Sequence, residues 1–235
     1  MSVKAILFDL DGTLLPMDQE TFVKAYFGGL CRRMAPFGYD PAELVKGIWA
    51  GTAAMVKNTG ENLNESVFWD TFAAVMGEGI RDRLPDFDAF YREEFPNVRS
   101  VCGYNENAAR VVAAVKATGL RTILATNPLF PAVATDCRIA WAGLAPSDFE
   151  LYTTYENARY CKPNLAYYKD ILEQTGLRAE ECVMVGNDVG EDMIAQSLGM
   201  QVFLLTDCLI NKAGADISAY PQGGFDELIA YLDTL

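Results

Sequence analysis

The chain has 235 residues, 51% of them hydrophobic and 22% charged, with a net charge of −13 and no histidine. That composition suits a soluble globular core, and its acidity disfavours nonspecific nucleic-acid binding. The lack of histidine excludes Ser-His-Asp and Cys-His catalysis, histidine phosphatases and most zinc enzymes.

The six cysteines are scattered, form no Cys-x-x-Cys and are never followed six residues later by arginine. Reduced thiols are expected, with no zinc site and no cysteine-phosphatase chemistry. No apolar run approaches the ~20 residues of a membrane span. The N-terminus, one lysine before an acid-bearing apolar run, does not read as a signal peptide. The expected setting is the cytoplasm, with no membrane partner.

In chain order, Val3 and Ala5 to Phe8 predict a strand buried on both faces. It delivers Asp9-Leu10-Asp11-Gly12-Thr13. Two acids two residues apart on extended backbone point the same way. Crowding should raise the proton affinity of one of them, and a divalent cation would relieve the repulsion. Asp9 then suits a nucleophile and metal ligand, and Asp11 a general acid and base. A bare Asp-x-Asp-Gly after a strand is more often just a turn, and the rest of the chain is what favours the enzymatic reading. A calcium loop fails, because Leu14 stands where its sixth-position glycine belongs and the flank is a strand.

Residues 16–103 read as helices over Glu20 to Met34, Pro41 to Met55, Glu65 to Met76 and Phe87 to Phe95. Asp18 and Asp40 are the expected N-caps, and Pro41 suits a first helical position. No strand pattern interrupts this block of roughly 85 residues, the size of a small domain.

Past Gly103 helices alternate with strands. Helices are expected over Glu106 to Thr118, Phe130 to Trp141, Pro163 to Thr175, Asp188 to Leu198 and Phe225 to Leu232. Strands are expected over Leu120 to Ala125, Phe149 to Thr153, Glu181 to Val185 and Gln201 to Leu205. The alternation predicts an α/β fold with a parallel sheet covered on both faces. Residues 1–15 and 104–235 would form that core, with 16–103 inserted as an all-helical domain. Ligands in such sheets sit beyond the strand C-termini. Asp9, Asp11, Thr126, Asn127, Asn187 and Asp188 would all converge there. Neither nucleotide-binding glycine signature is present.

Lys162, before Pro163, is expected in the first turn of a helix, where it could neutralise an anion; a solvated surface lysine is the plainer alternative. Thr126 could hold a phosphate oxygen or simply end a strand. The turn Gly186-Asn187-Asp188-Val189-Gly190-Glu191-Asp192 could be helix capping or a cation site. Oxygen-only ligands select a hard cation, and magnesium takes only one or two carboxylates besides waters and phosphate. Asp9, Asp188 and the Asp11 carbonyl would suffice.

Asp9-Leu10-Asp11-Gly12-Thr13, Thr126-Asn127, Lys162-Pro163 and Val185-Gly186-Asn187-Asp188 with Asp192 resemble, in order, the four motifs of the haloacid dehalogenase-like (HAD) hydrolases. The resemblance implies a Rossmann-like core with a small helical cap inserted after the first motif. It also implies that Asp9 forms an aspartyl-phosphate, while Asp11 protonates the leaving alcohol and then activates water. Thr126 and Lys162 would hold the phosphoryl group, with Gly12, Thr13 and Asn127 beside them. Mg2+ would be held by Asp9, Asp11 and the fourth motif, and Asp192 would orient Lys162 or a metal-bound water. Strict alignment puts Asn187 at the usual metal-ligand position, whereas carboxylate chemistry favours Asp188.

The expected function is a Mg-dependent phosphatase acting on a small phosphorylated metabolite. A phosphomutase of the same fold and a catalytically silent phosphate-binding module are the alternatives. Dehalogenating members lack the second Asp, so Asp11 points to phosphoryl chemistry. Lys57, Arg81, Arg83, Tyr26 and Trp49 are the candidate specificity contacts. Nothing in the sequence speaks to oligomeric state.

Overall fold

A computed structural model describes residues 2–235. Six parallel strands form one sheet: β1 (Ala5–Phe8), β2 (Arg121–Leu124), β3 (Leu151–Tyr152), β4 (Cys182–Gly186), β5 (Gln201–Leu205) and β6 (Gln222–Gly223), in the order β3-β2-β1-β4-β5-β6. The central strands β1 and β4 are apolar and buried throughout because both faces are covered. Ile6, Phe8, Val183 and Val185 enter one core, while Ala5, Leu7, Cys182 and Met184 enter the other. That split is the period-two alternation of a strand expressed between two apolar layers.

The register explains why the polar strand ends meet. Phe8 lies opposite Leu124 on one side and Val185 on the other. Asp9 N–H donates to the Val185 carbonyl at 2.9 Å, and Ala125 N–H to the Phe8 carbonyl at 2.7 Å. The chain leaves β1 for β2 on one side and returns to β4 on the other, which opens a crevice at the strand C-termini.

Among the described residues, eight α-helices accompany the sheet. Between β1 and β2 lie α1 (Gln19–Met34), α2 (Pro41–Val56), α3 (Asn64–Met76), α4 (Leu84–Glu93) and α5 (Glu106–Ala117). The others are α6 (Ala132–Trp141), α7 (Leu165–Thr175) and α8 (Phe225–Leu232). Asp18 caps α1 by accepting from Thr21 N–H, and Asp40 caps α2 by accepting from Ala42 and Glu43, with Pro41 opening the helix. Helices α1 to α4 form a block above the strand ends. The two chain segments joining it to the sheet run side by side: Met17 pairs with Cys102, and Gly103 N–H donates to the Pro16 carbonyl at 2.7 Å. Among the described residues no helix is long and apolar enough to cross a membrane.

Three local expectations are corrected. The helix expected from Asp188 starts only at Met193, as a 3-10 helix to Leu198. Residues 188–192 form a turn in which side chains take the donors a helix would use: Asp188 Oδ1 accepts from Gly190 and Glu191 N–H, and Asp192 Oδ2 from Asp188 N–H. Helix α7 starts at Leu165 behind an Asn164 cap, so Lys162 precedes the helix instead of sitting in its first turn. Phe95 opens a 3-10 helix to Val101, beyond the end of α4.

Candidate active site

Asp9 leaves the central strand at its C-terminal end and is 7% exposed. Its Oδ1 accepts from Lys162 Nζ at 2.8 Å, and its Oδ2 lies 3.1 Å from the Thr13 hydroxyl. That hydroxyl is also 3.0 Å from Asn187 Oδ1. The Asn187 amide donates from its other side to the Cys208 carbonyl at 2.7 Å, which fixes its orientation. Gly12 has φ +88°, and a Cβ there would collide with the Asn187 amide. The turn after β1 therefore needs glycine both for its backbone and for the close approach of the turn after β4.

Lys162 is 1% exposed and bonds two carboxylates, Asp9 and, at 2.6 Å, Asp192. Burial alone would strip its proton, but the charges of Asp192 and Asp9 outweigh burial and hold the ammonium form well above its ordinary range. Burial raises the proton affinity of Asp192, and Lys162 opposes that rise. A Cβ at Gly186 would strike the Asp192 carboxylate, so that glycine lets Asp192 reach the lysine.

Asp11 sits beside this ion pair and forms its own with Arg138 of α6. Burial raises the Asp11 pKa first; Arg138 pulls it down, and Asp9 pushes it up again. The Arg138 side chain is 1% exposed. It is fixed by Thr135 Oγ1 at 3.2 Å and lies 4.7 Å over the Phe130 ring. Asp11 Oδ1 is buried with no hydrogen-bond partner among the described residues.

Thr126 is buried, and its carbonyl is anchored by the Thr153 hydroxyl at 2.6 Å and the Tyr167 hydroxyl at 2.8 Å. Asn127 Nδ2 donates to Glu191 Oε2 at 3.0 Å, while Asn127 Oδ1 is buried without a partner. Burial raises the Glu191 pKa, and Lys162 opposes that rise.

Asp9, Asp11, Thr126, Asn127, Asn187 and Asp188 all line one cavity of about 280 Å³ between the strand ends and the helical block. Lys162 lies behind Asp9, and Gly12 and Thr13 support it from the turn. Of the candidate specificity residues, Tyr26 and Trp49 line the cavity. Arg81 and Arg83 do not: they form surface ion pairs with Asp70, Glu78 and Asp86, and Lys57 is exposed. Sequence reasoning missed Arg138 and Glu191. Glu191 stands inside the acidic turn already singled out, so its place was readable. Arg138 carries no local signal.

The floor offers oxygen donors only, and two of them, Asp11 Oδ1 and Asn127 Oδ1, are buried without partners. Such a set fits a hard cation such as magnesium. Among the described residues, no three acidic, Cys or His side chains cluster as a complete cage. Magnesium needs none, since it keeps several waters and takes one or two carboxylates.

Solved structures share the fold over essentially the whole chain. A 2-haloacid dehalogenase from Pseudomonas syringae pv. Tomato is 18% identical, covers 99% of both chains and superposes with a TM-score of 0.65. A HAD phosphatase from Thermococcus onnurineus is 19% identical, covers 98% of both chains and gives 0.61. The HAD-hydrolase YfnB from Bacillus subtilis, solved bound to magnesium, is 16% identical, covers 99% of this chain and 100% of its own, and gives 0.57. At such identities the likeness is one of fold. A search of the curated proteins gives no match. The family model for haloacid dehalogenase-like hydrolases matches residues 3–196, and the chain belongs to that family.

Proposed function

We propose that the protein is a magnesium-dependent phosphatase that hydrolyses a small phosphorylated metabolite through an aspartyl-phosphate on Asp9. The observation that carries this reading is the pair of carboxylates at one cavity floor. Asp9 is held between Lys162 and Thr13, and Asp11 stands two residues on with a buried, unpartnered oxygen. Solved relatives of this fold include both phosphatases and dehalogenases. A departing halide needs no proton, whereas an alkoxide does, and Asp11 can supply one.

In the first step an Asp9 oxygen bonds to phosphorus as the ester P–O bond breaks, and Asp11 gives its proton to the departing oxygen. In the second, Asp11 takes a proton from water, whose oxygen bonds to phosphorus and releases phosphate from Asp9. Burial and the neighbouring Asp9 raise the proton affinity of Asp11, which suits the first step; Arg138 limits that rise, which suits the second. Lys162 neutralises charge beside the nucleophile and is itself steadied by Asp192. Thr126 and Asn127 are placed to receive phosphoryl oxygens at a rigid strand end. Asp9, the Asp11 carbonyl and Asp188 or Asn187 would hold the magnesium ion, which supplies neutralisation of phosphoryl charge. The helical block serves as a cap over the cavity and excludes bulk water.

With Mg2+ present, a chromogenic aryl phosphate should release phosphate, and a 2-haloacid should release no halide. Asp9→Asn should lower kcat by at least about 10⁴-fold, as loss of a nucleophile does, with an unchanged circular dichroism spectrum. Retained turnover in Asp9→Asn would refute the role given to Asp9. Isomerisation of a sugar phosphate without phosphate release would favour a phosphomutase.

A further inference from the structure

The cavity has two chemically distinct parts. Its floor is the polar cluster already described. The rest is aromatic and aliphatic: Tyr26, Trp49, Phe68, Trp69, Phe130 and Tyr155 are its main surfaces. The rings brace one another. Trp49 packs edge-on against Phe27 at 5.6 Å, Phe68 stands perpendicular to Trp69 at 5.5 Å, and Tyr26 meets Phe130 at 5.3 Å. Aromatic side chains in such mutual contact form a rigid apolar surface.

No lysine or arginine is among the lining residues, and every charged one is an acid on the floor: Asp9, Asp11, Asp188, Glu191 and Asp192. The polar side chains of the wall are few: the exposed Gln19, the half-buried Thr52 and the aromatic O–H and N–H groups. The hydroxyls of Tyr26 and Tyr91 bond each other at 2.9 Å. Burial pushes the Tyr26 phenol up to about 12, so this part of the wall stays uncharged. Trp69 Nε1 is buried next to the Tyr155 hydroxyl.

Resting on the phosphatase reading above, we propose that the substrate is the phosphate monoester of an alcohol with an apolar body, alkyl or aryl, that carries no second anionic group. A carboxylate or second phosphate on the leaving group would meet an uncharged wall beyond an acidic floor, where its desolvation is not compensated. A polyhydroxylated body would bury most of its hydroxyls against rings, since Gln19 and Thr52 could pair only a few of them. A volume of about 280 Å³ is at the small end of small-molecule sites, so the body is compact.

The test is a homologous series of ethyl, butyl and hexyl phosphate, assayed with Mg2+ for phosphate release beside glycerol 3-phosphate and phosphoglycolate. Unbranched alkoxides differ little as leaving groups, so the series isolates binding to the wall. Each added methylene should raise kcat/KM about four-fold until the cavity is filled, and the two polar esters should fall below butyl phosphate. Trp49→Ala should lower kcat/KM for hexyl phosphate by a larger factor than for ethyl phosphate. A flat or falling series, or preference for either polar ester, overturns the proposal.

A second arm does not depend on turnover. Ethyl-, butyl- and hexylphosphonate are titrated against the protein with Mg2+ by calorimetry. Affinity should climb along the series; equal affinities overturn the proposal. If no ester releases phosphate while phosphonate affinity still climbs, the phosphatase reading fails and the description of the wall stands.

Discussion

Replacing Arg138 by methionine removes the positive charge from a side chain that is 1% exposed and leaves Asp11 facing Asp9 without its counter-ion. Removing one partner of a buried ion pair costs about 3–5 kcal/mol. The Asp11 side chain keeps 22% exposure, which lets water take part of the burden and places the loss near the lower bound, about 3 kcal/mol. For a chain of this size that lowers Tm by roughly 6–12 °C. The double variant Arg138→Met/Asp11→Asn removes both charges, and its deficit should be smaller than that of Arg138→Met alone. A coupling energy of about 1.5 kcal/mol or more is expected from urea unfolding of the four-member cycle in chelator.

The deficit of Arg138→Met also has a pH signature. Asp11 already binds its proton more tightly folded than unfolded, and loss of Arg138 strengthens that binding. Below about pH 4 both states are protonated and the added deficit is small. As pH rises through the elevated folded value, the unfolded chain gives up its proton first, so the variant loses stability with rising pH. A deficit that is the same at pH 4 and pH 8, or a coupling energy below about 0.5 kcal/mol, would refute the claim that Arg138 acts on Asp11 through charge.

Chelation should abolish phosphate release and added magnesium restore it, with calcium a poor substitute because it prefers more ligands at longer distances; full activity in chelator refutes the metal assignment. Gly12→Ala forces a left-handed conformation on alanine, worth about 1–2 kcal/mol, and displaces the Asn187 amide from Thr13 and Cys208; thermal unfolding should shift down by several degrees, and an unchanged Tm contradicts the close approach. Glu181 is held at about 2 by its hydrogen bonds to Lys4 and to the backbone and side chain of Arg178. Since its folded value is depressed, the stabilisation is present above the ordinary Glu value of about 4.3 and is lost as pH falls toward 2. Glu181→Gln should therefore be less stable than wild type at pH 7 and equal to it near pH 2.

The parts of the site that were legible in the sequence are those where local chemistry changes abruptly. An apolar run ending in Asp9, Thr126 or Asn187 marks a buried strand reaching solvent, and the parallel alternation places those ends together. Arg138 was not legible because its partner is 127 positions away. Within α6 it stands between Cys137 and Ile139 and looks like any helical cation, a type seldom buried. The turn at 188–192 misled in the opposite sense. Its acids favour a helix start in general, yet here the Asp188 and Asp192 carboxylates bind the backbone N–H groups directly and delay the helix to Met193. Arg81 and Arg83 drew notice as charges in the helical block, but each is committed to a neighbouring acid on the surface.

The distribution of charge around the floor ties these features to function. Five carboxylates, those of Asp9, Asp11, Asp188, Glu191 and Asp192, line a single cavity, and the buried cations beside them are Lys162 and Arg138. Both are already engaged by acids. Burial is the main cause of the raised proton affinities of Asp11, Glu191 and Asp192, and the charge of Asp9 adds to each. On the phosphatase reading proposed above, a phosphate monoester would add nearly two further negative charges, and a divalent cation at the floor would offset them. Such a cation would offset phosphoryl charge beside the Asp9–Lys162 pair, while burial raises the proton affinity of Asp11 and Arg138 limits that rise. Two nearly adjacent carboxylates thus face different cations, Asp9 that of Lys162 and Asp11 that of Arg138, a difference that Asp-x-Asp alone does not reveal.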